Sequence, residues 1–227
     1  MAQAGPSQHG ARRMTTRRRF LALSAAFACA PSLSRADTWQ GTALGADVSV
    51  TLHGPREMTQ RALADVPRLL VNFEETFSLF RPSSDLSMLN MMGRLRQPNA
   101  LMRSLMDRAD TAHRLSHGLF DPTIQPVWEA LARGRDIDRA RQSLGWHRVR
   151  YSDQMIELQT GQALTFNGIA QGFATDVMRL LLARHGATNA LINVGEYAAV
   201  GGPFTLGIED PAHGHIGTRQ LSDIAIA

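Results

Sequence analysis

The stretch that most constrains this chain is NGIAQGFATDVMRLLLARHG, residues 167–186, a glycine-bracketed turn that runs directly into an amphipathic helix. Gly168 and Gly172 would let the backbone come close to a ligand where a Cβ would obstruct it. Phe173, Ala174, Val177, Leu181 and Arg184 follow at three- and four-residue intervals. That spacing predicts one buried helix face and an outward-turned N-terminus. The unpaired N–H groups and the positive dipole end at such a terminus suit a phosphate. The same residues also suit a plain strand-to-helix connection with no ligand, residues 162–166 reading as the short strand ahead of it.

Charge narrows the choice of partner. The formal net charge of +4 belongs to one end of the chain. Residues 1–36 hold six arginines (Arg12, Arg13, Arg17, Arg18, Arg19 and Arg35) and no acid, so the remainder carries 18 basic against 20 acidic side chains. Without a basic patch beyond this leader, no nucleic-acid partner is expected. The chain contains no lysine, which removes lysine nucleophiles and a P-loop lysine from consideration.

The leader has its own pattern. Arg17-Arg18-Arg19-Phe20-Leu21, an apolar run to Ala30 and the small-residue site Ser34-Arg35-Ala36 predict a twin-arginine-type signal over 1–36, periplasmic export, and a folded domain over 37–227. About ten apolar residues are too few to span a bilayer, so no permanent membrane helix is expected. The one cysteine, Cys29, falls in this leader. The rest of the chain is therefore expected to have no disulfide, thiolate metal site or cysteine nucleophile.

Periodicity supplies the remaining elements. Residues 39–52 read as a strand pair or one bent strand, and 56–77 as a helix that Pro67 either kinks or divides near Asp65. Ser83 or Ser84 is expected to cap a short helix, residues 99–115 form another, and Asp121 either caps a short helix or faces a ligand. A helix over 136–144 and a hairpin around residues 152–154 follow. After the central helix come a buried strand over 189–195 and a turn at 201–203, and then His213 and His215, read as solvent-facing rather than metal-binding. Residues 219–227 alternate as a strand whose inward positions are Leu221 and Ile224, and the chain ends as if inside a sheet.

Five segments in this order, TWQGTALGADVSV, FSLFRPSSDLSMLN, GLFDPTIQP, LTFNGIAQGFATD and LINVGEYAAVGG with LGIEDP, resemble the ApbE-type flavin transferases. The resemblance implies an α+β fold: a two-lobed ApbE-like, T-fold-related domain with mixed sheets and packed helices, here incomplete at the C-terminus. It implies an enzyme that moves the FMN half of FAD onto a threonine hydroxyl of an acceptor flavoprotein with Mg²⁺, releasing AMP. By motif, FAD-contacting positions would be Leu44, Phe80, Leu119, Phe120, Asp121, Thr165 and Gln171, with the Gly168 carbonyl as a Mg²⁺ ligand and no catalytic residue identified. The leader and the glutamine of NGIAQG are similar to the NosX branch, which implies a NosR-like membrane flavoprotein as acceptor and a part in nitrous-oxide reductase maturation. The family commonly has Asp at Thr165, Lys at Gln171 and Gly-Gly at Gly195-Glu196, and its acidic and threonine metal ligands belong to a later segment. A periplasmic carrier that binds FAD without transferring FMN is the alternative, and a domain using its glycine turns only for packing is a third.

Overall fold

The computed structural model describes residues 22–24 and 36–226. The expected leader therefore lies, apart from Ala22–Ser24 and Ala36, outside the described residues, as does Cys29. The described residues divide into two compact units, residues 36–204 with 221–226 forming the larger one.

In the larger unit, β2 (Ala36–Ala43) and β3 (Ala46–His53) make an antiparallel hairpin over the two-residue turn Leu44-Gly45. Both turn residues have positive φ, 55° and 74°. Two-residue hairpin turns favour that conformation because it matches the twist of the strands, and Leu44 adopts it without being a glycine. Its amide donates to Glu74 Oε1 at 3.3 Å, which ties the turn to a helix. β3 pairs antiparallel with β7 (Ala190–Val194), which pairs with β8 (Tyr197–Val200), and β11 (Ala225–Ile226) closes the order β11-β8-β7-β3-β2. Val50 and Ile192, facing partners in the ladder, are fully buried.

Against this sheet lies α1 (Arg56–Phe77), whose buried stripe runs through Ala62, Val66, Leu70, Phe73 and Phe77. Of the two alternatives at Pro67, division near Asp65 does not occur. Pro67 stays inside one helix of 22 residues and points to solvent, where its missing N–H leaves the buried stripe uninterrupted. α2 (Asp85–Met92) is capped by Ser84, which accepts from the Ser87 amide at 3.1 Å, and ends on Gly93 in the left-handed region at φ 70°. α3 (Ala100–Leu115) is capped by Asn99. α4 (Gln125–Ala132) follows, and α5 (Ile137–Arg141) is shorter than the expected 136–144 because it has no buried face. β5 (Arg150–Tyr151) and β6 (Met155–Glu157) form the expected hairpin, and β4 (Arg94–Arg96) adds a third strand beyond β6. No described helix is long and apolar enough to cross a membrane.

α6 (Ala170–Arg184) is the predicted central helix, with its buried side rotated from the expected one. Phe173, Ala174, Met178 and Leu182 are buried, Val177 and Leu181 are half-buried, and Arg184 is exposed. Residues 162–166 are mostly buried but form no strand. Their backbone finds other partners: Asn90 donates from Nδ2 to Leu164 O at 2.9 Å and accepts from Leu164 N at 2.7 Å, while Thr165 N donates to Pro122 O at 2.9 Å. A side-chain amide thus does the pairing that a neighbouring strand would otherwise do.

The smaller unit comprises residues 205–220 with the described Ala22–Ser24. Its sheet has the order β1 (Ala22–Ser24), β9 (Phe204–Asp210), β10 (Gly214–Leu221). In the turn between β9 and β10, His213 Nδ1 lies 2.9 Å from Asp210 Oδ1, and His215 is exposed on β10. The single strand expected over 219–227 is instead two pieces. β10 ends at the buried Leu221, Asp223 turns the chain at φ 52° with its carboxylate accepting from Gly201 N at 2.7 Å, and Ile224 is 55% exposed rather than inward.

Replacing Asn90 by alanine strands two backbone groups of a buried segment. Asn90→Ala is expected to lower unfolding free energy by about 2–4 kcal/mol in urea titrations. An unchanged midpoint would show that Leu164 has other partners.

Candidate functional site

The site is built where α6 begins. Ile169 and Ala170 donate their amides to Phe166 O at 2.9 and 2.7 Å, and Phe173 donates to Ile169 O. The helix has no side-chain cap, so Gln171 and Gly172 carry the opening N–H groups with no intrahelical carbonyl. Aromatic packing holds this turn in place: Phe77 meets Phe166 at 6.0 Å and Phe173 at 6.2 Å, and Phe73 meets Phe173 at 5.6 Å.

A cleft of about 270 Å³ opens at this end of α6, lined by Arg108, Gly168, Gly172, Phe173, Asp176 and Glu196 among others. Arg108 is committed inside it, Nη1 to Asp176 Oδ2 at 2.9 Å with its guanidinium 5.3 Å from the centre of the Phe173 ring. A methyl group built on Gly172 would meet Glu196 Oε2 at 3.0 Å, and one built on Gly168 would meet the Phe120 ring at 3.2 Å. Next to Glu196, burial raises the Tyr197 phenol above its ordinary pKa. A larger cleft of about 1000 Å³, walled by Asn90, Arg94, Gln125, Arg150 and Glu157, holds none of the eight predicted site residues. Its walls do include Leu79 and Ala163, the neighbours of Phe80 and Leu164 in sequence. Volume alone does not make it the site, because Gly168 and Gly172 line the smaller cleft, and Gly172 carries one of the two uncapped amides.

The structure brings some predicted positions together. Phe120 lies against Gly168, and the Thr165–Pro122 hydrogen bond joins the 119–123 turn to the segment entering α6. Thr165 is buried at 7% exposure and its hydroxyl accepts from Asn167 N at 3.3 Å. Gln171 packs its side-chain amide where a Cβ on Gly195 would sit, and Gly168 is exposed. Asp121 is a cap. Its Oδ1 accepts from Thr123 N at 2.8 Å and Thr123 Oγ1 at 2.6 Å, and its Oδ2 accepts from Trp146 N at 3.2 Å. Leu44, Phe80 and Leu119 stand on separate loops. Leu44 is bound to Glu74 and Phe80 N donates to Ser78 Oγ at 3.2 Å, while Phe80 and Leu119 are 95% and 92% exposed.

Sequence reasoning did not assign Arg108, Asp176 or Glu196 to the site. Arg108 and Asp176 sit 68 residues apart on different helices, and no local pattern links them. Glu196 did carry a signal, an acid at the turn directly after a buried strand. Among the described residues, no group of three His, Asp, Glu or Cys side chains gathers as a metal cage.

With this geometry in place, comparisons with known proteins bear on it. Residues 44–227 match the model of the ApbE family. Three solved structures are similar in fold. The apo form of the flavinyl transferase ApbE of Pseudomonas stutzeri superposes with a TM-score of 0.71 at 21% identity, over 83% of this chain and 67% of that one. The flavin transferase ApbE of Vibrio cholerae gives 0.74 at 18%, over 86% and 71%. The ApbE protein of Thermotoga maritima gives 0.70 at 22%, over 85% and 70%. No curated protein sequence matches the chain.

The three bonds to the Asp121 carboxylate make a definite prediction. Asp121→Ala is expected to cost about 2–4 kcal/mol, and Asp121→Asn less, since the amide oxygen still accepts from Thr123. Thermal melts of both variants check this, and equal losses would contradict it.

Proposed function

This chain belongs to the ApbE family, and on that footing we propose that it transfers the FMN half of FAD to a hydroxyl of an acceptor flavoprotein, releasing AMP. The observation that carries this reading is the cleft at the α6 opening, where Gly168 and Gly172 leave room for a diphosphate and the Gly172 amide, with the Gln171 amide next to it in the first turn, has no intrahelical partner. In the reaction the acceptor hydroxyl oxygen forms a bond to the phosphorus on the FMN side. The bond from that phosphorus to the bridging oxygen breaks, AMP departs with that oxygen, and the hydroxyl proton leaves to a base. Such transfers depend mostly on positioning and charge stabilisation, which is what a helix opening and a shaped cleft supply.

The chain's own residues have distinct parts in this reading. The Gln171 and Gly172 amides would bind the diphosphate, Gly168 and Gly172 would allow its close approach, and the Phe120 ring would border the bound dinucleotide. Asp121 acts at one remove. It holds the turn that presents Phe120 rather than offering a free carboxylate. Leu44, Phe80, Leu119, Thr165 and Gln171 are proposed as further contacts on the resemblance of their segments, and the two exposed side chains, Phe80 and Leu119, are apolar surface available to a flavin or adenine.

Magnesium is part of the proposal. Its chemistry fits the oxygens present, because Mg²⁺ is usually held by one or two carboxylates together with substrate phosphates and water, and the Gly168 backbone and Glu196 carboxylate line one cleft. When bound it would neutralise charge on the diphosphate. A threonine as acceptor residue, export through the twin-arginine-type leader and a NosR-like membrane flavoprotein as partner are proposed on the sequence resemblance.

Incubating the chain with FAD, magnesium and an acceptor domain should yield covalent flavin fluorescence in a denaturing gel and AMP in equal amount. Tight FAD binding without AMP release would favour the carrier reading instead. Gly172→Ala is expected to leave stability within about 1 kcal/mol of the parent, since the added methyl meets the end of a flexible side chain, while weakening FAD binding by about tenfold.

A further inference from the structure

Glu196 is out of place at an anion-binding cleft. Its Oε2 stands where a methyl on Gly172 would be 3.0 Å away, and its Oε1 would be 4.0 Å from the same point. The carboxylate therefore lies against the first turn of α6, beside the amides proposed to receive a diphosphate. Among the described residues it forms no hydrogen bond or ion pair. The cation nearest in the cleft is already engaged, since Arg108 pairs with Asp176 at 2.9 Å and stacks over Phe173 at 5.3 Å. Of the charged side chains that line the cleft, Arg108, Asp176 and Glu196 sum to one negative charge, and the next cation, Arg179, is turned to Asp176 Oδ1 at 3.9 Å. A dinucleotide diphosphate adds two negative charges to the same place. Like charges at such spacing repel strongly wherever water is partly excluded.

We infer that Glu196 makes dinucleotide binding at this cleft conditional on a divalent cation, the carboxylate and the diphosphate sharing the α6 opening only with the cation between them. This rests on the functional reading above and deepens it. Glu196 thereby becomes the residue that sets the order of binding: without the cation it occupies the place of the anion and weakens affinity, and with the cation it becomes a ligand. A hard, doubly charged ion matches these oxygens, and a carboxylate shared with substrate phosphates is the usual way magnesium is held. The glycine at position 172 is what permits this approach, because a larger residue would push the carboxylate away from the helix.

The test measures FAD affinity of the full chain by quenching of flavin fluorescence, in EDTA and in millimolar magnesium. The parent chain is expected to bind about tenfold or more tightly with magnesium. Glu196→Gln is expected to bind FAD in EDTA about tenfold more tightly than the parent, with magnesium changing its affinity by less than about threefold. Glu196→Asp keeps the charge and is expected to retain most of the magnesium response. A Glu196→Gln chain with the parent's full magnesium dependence overturns the inference while leaving the functional reading intact. Absence of FAD binding by every variant in both buffers overturns the functional reading and the inference with it. Melting curves establish that the variants fold, and should the glutamine variant fail to fold, Glu196→Gly is measured in its place with the same two outcomes.

Discussion

The cluster of Phe73, Phe77, Phe166 and Phe173 is the contact on which the candidate site depends. Its rings join the C-terminal half of α1 to the segment entering α6 and to the first turn of α6, at centroid separations of 5.6 to 6.2 Å. Each such aromatic pair contributes about 0.5–1.5 kcal/mol beyond the area it buries. More important than the sum is the geometry. Phe166 offers its carbonyl to two amides at the α6 opening, and Phe173 supplies the ring under Arg108, so the same residues that fill the core fix the cleft.

Polar side chains extend that order to the loops. Asn90 pairs with Leu164 in place of a strand, Asp121 gathers Thr123 and Trp146, and Thr123 Oγ1 accepts from Gly145 N at 2.9 Å. Partial burial raises the pKa of Asp85 at the start of α2, with a hydrogen bond from Asn99 opposing the shift and Glu75 adding to it. A carboxyl with a raised folded-state pKa favours the fold below its unfolded pKa and loses that contribution as pH climbs through the folded value. The two loops that flank the cleft are therefore held by buried or half-buried polar bonds, while the exposed Phe80 and Leu119 have no such restraint on their side chains.

The legible parts were those governed by local rules. The apolar stripe of residues 56–77, the Ser84 cap, the helix over 99–115 and the hairpin around 152–154 follow from spacing and from short-range hydrogen bonding, and all are present, the helix starting one residue late behind an Asn99 cap. Misreadings came where a distant partner outweighed a local preference. Pro67 did not divide its helix near Asp65, one of its two alternatives, because the buried stripe lies on another face. Residues 162–166 had the composition of a strand, yet Asn90, more than seventy positions away, took the hydrogen bonds that a ladder would have used. The central helix was found, but its buried side turned because Phe173 and Met178 had a particular core to fill.

By itself the amino-acid sequence determined the kinds of element, the glycine-marked helix opening, the absence of lysine and the family whose ordered segments the chain shares. These depend on neighbours along the chain, where sterics and capping act over a few residues. Tertiary structure alone decided that Arg108 is spent on Asp176, that the Asp121 cap also receives the Trp146 amide, and that Glu196 faces Gly172. Those outcomes depend on which side chains meet across the fold, and a charge means something different once its nearest partner is known.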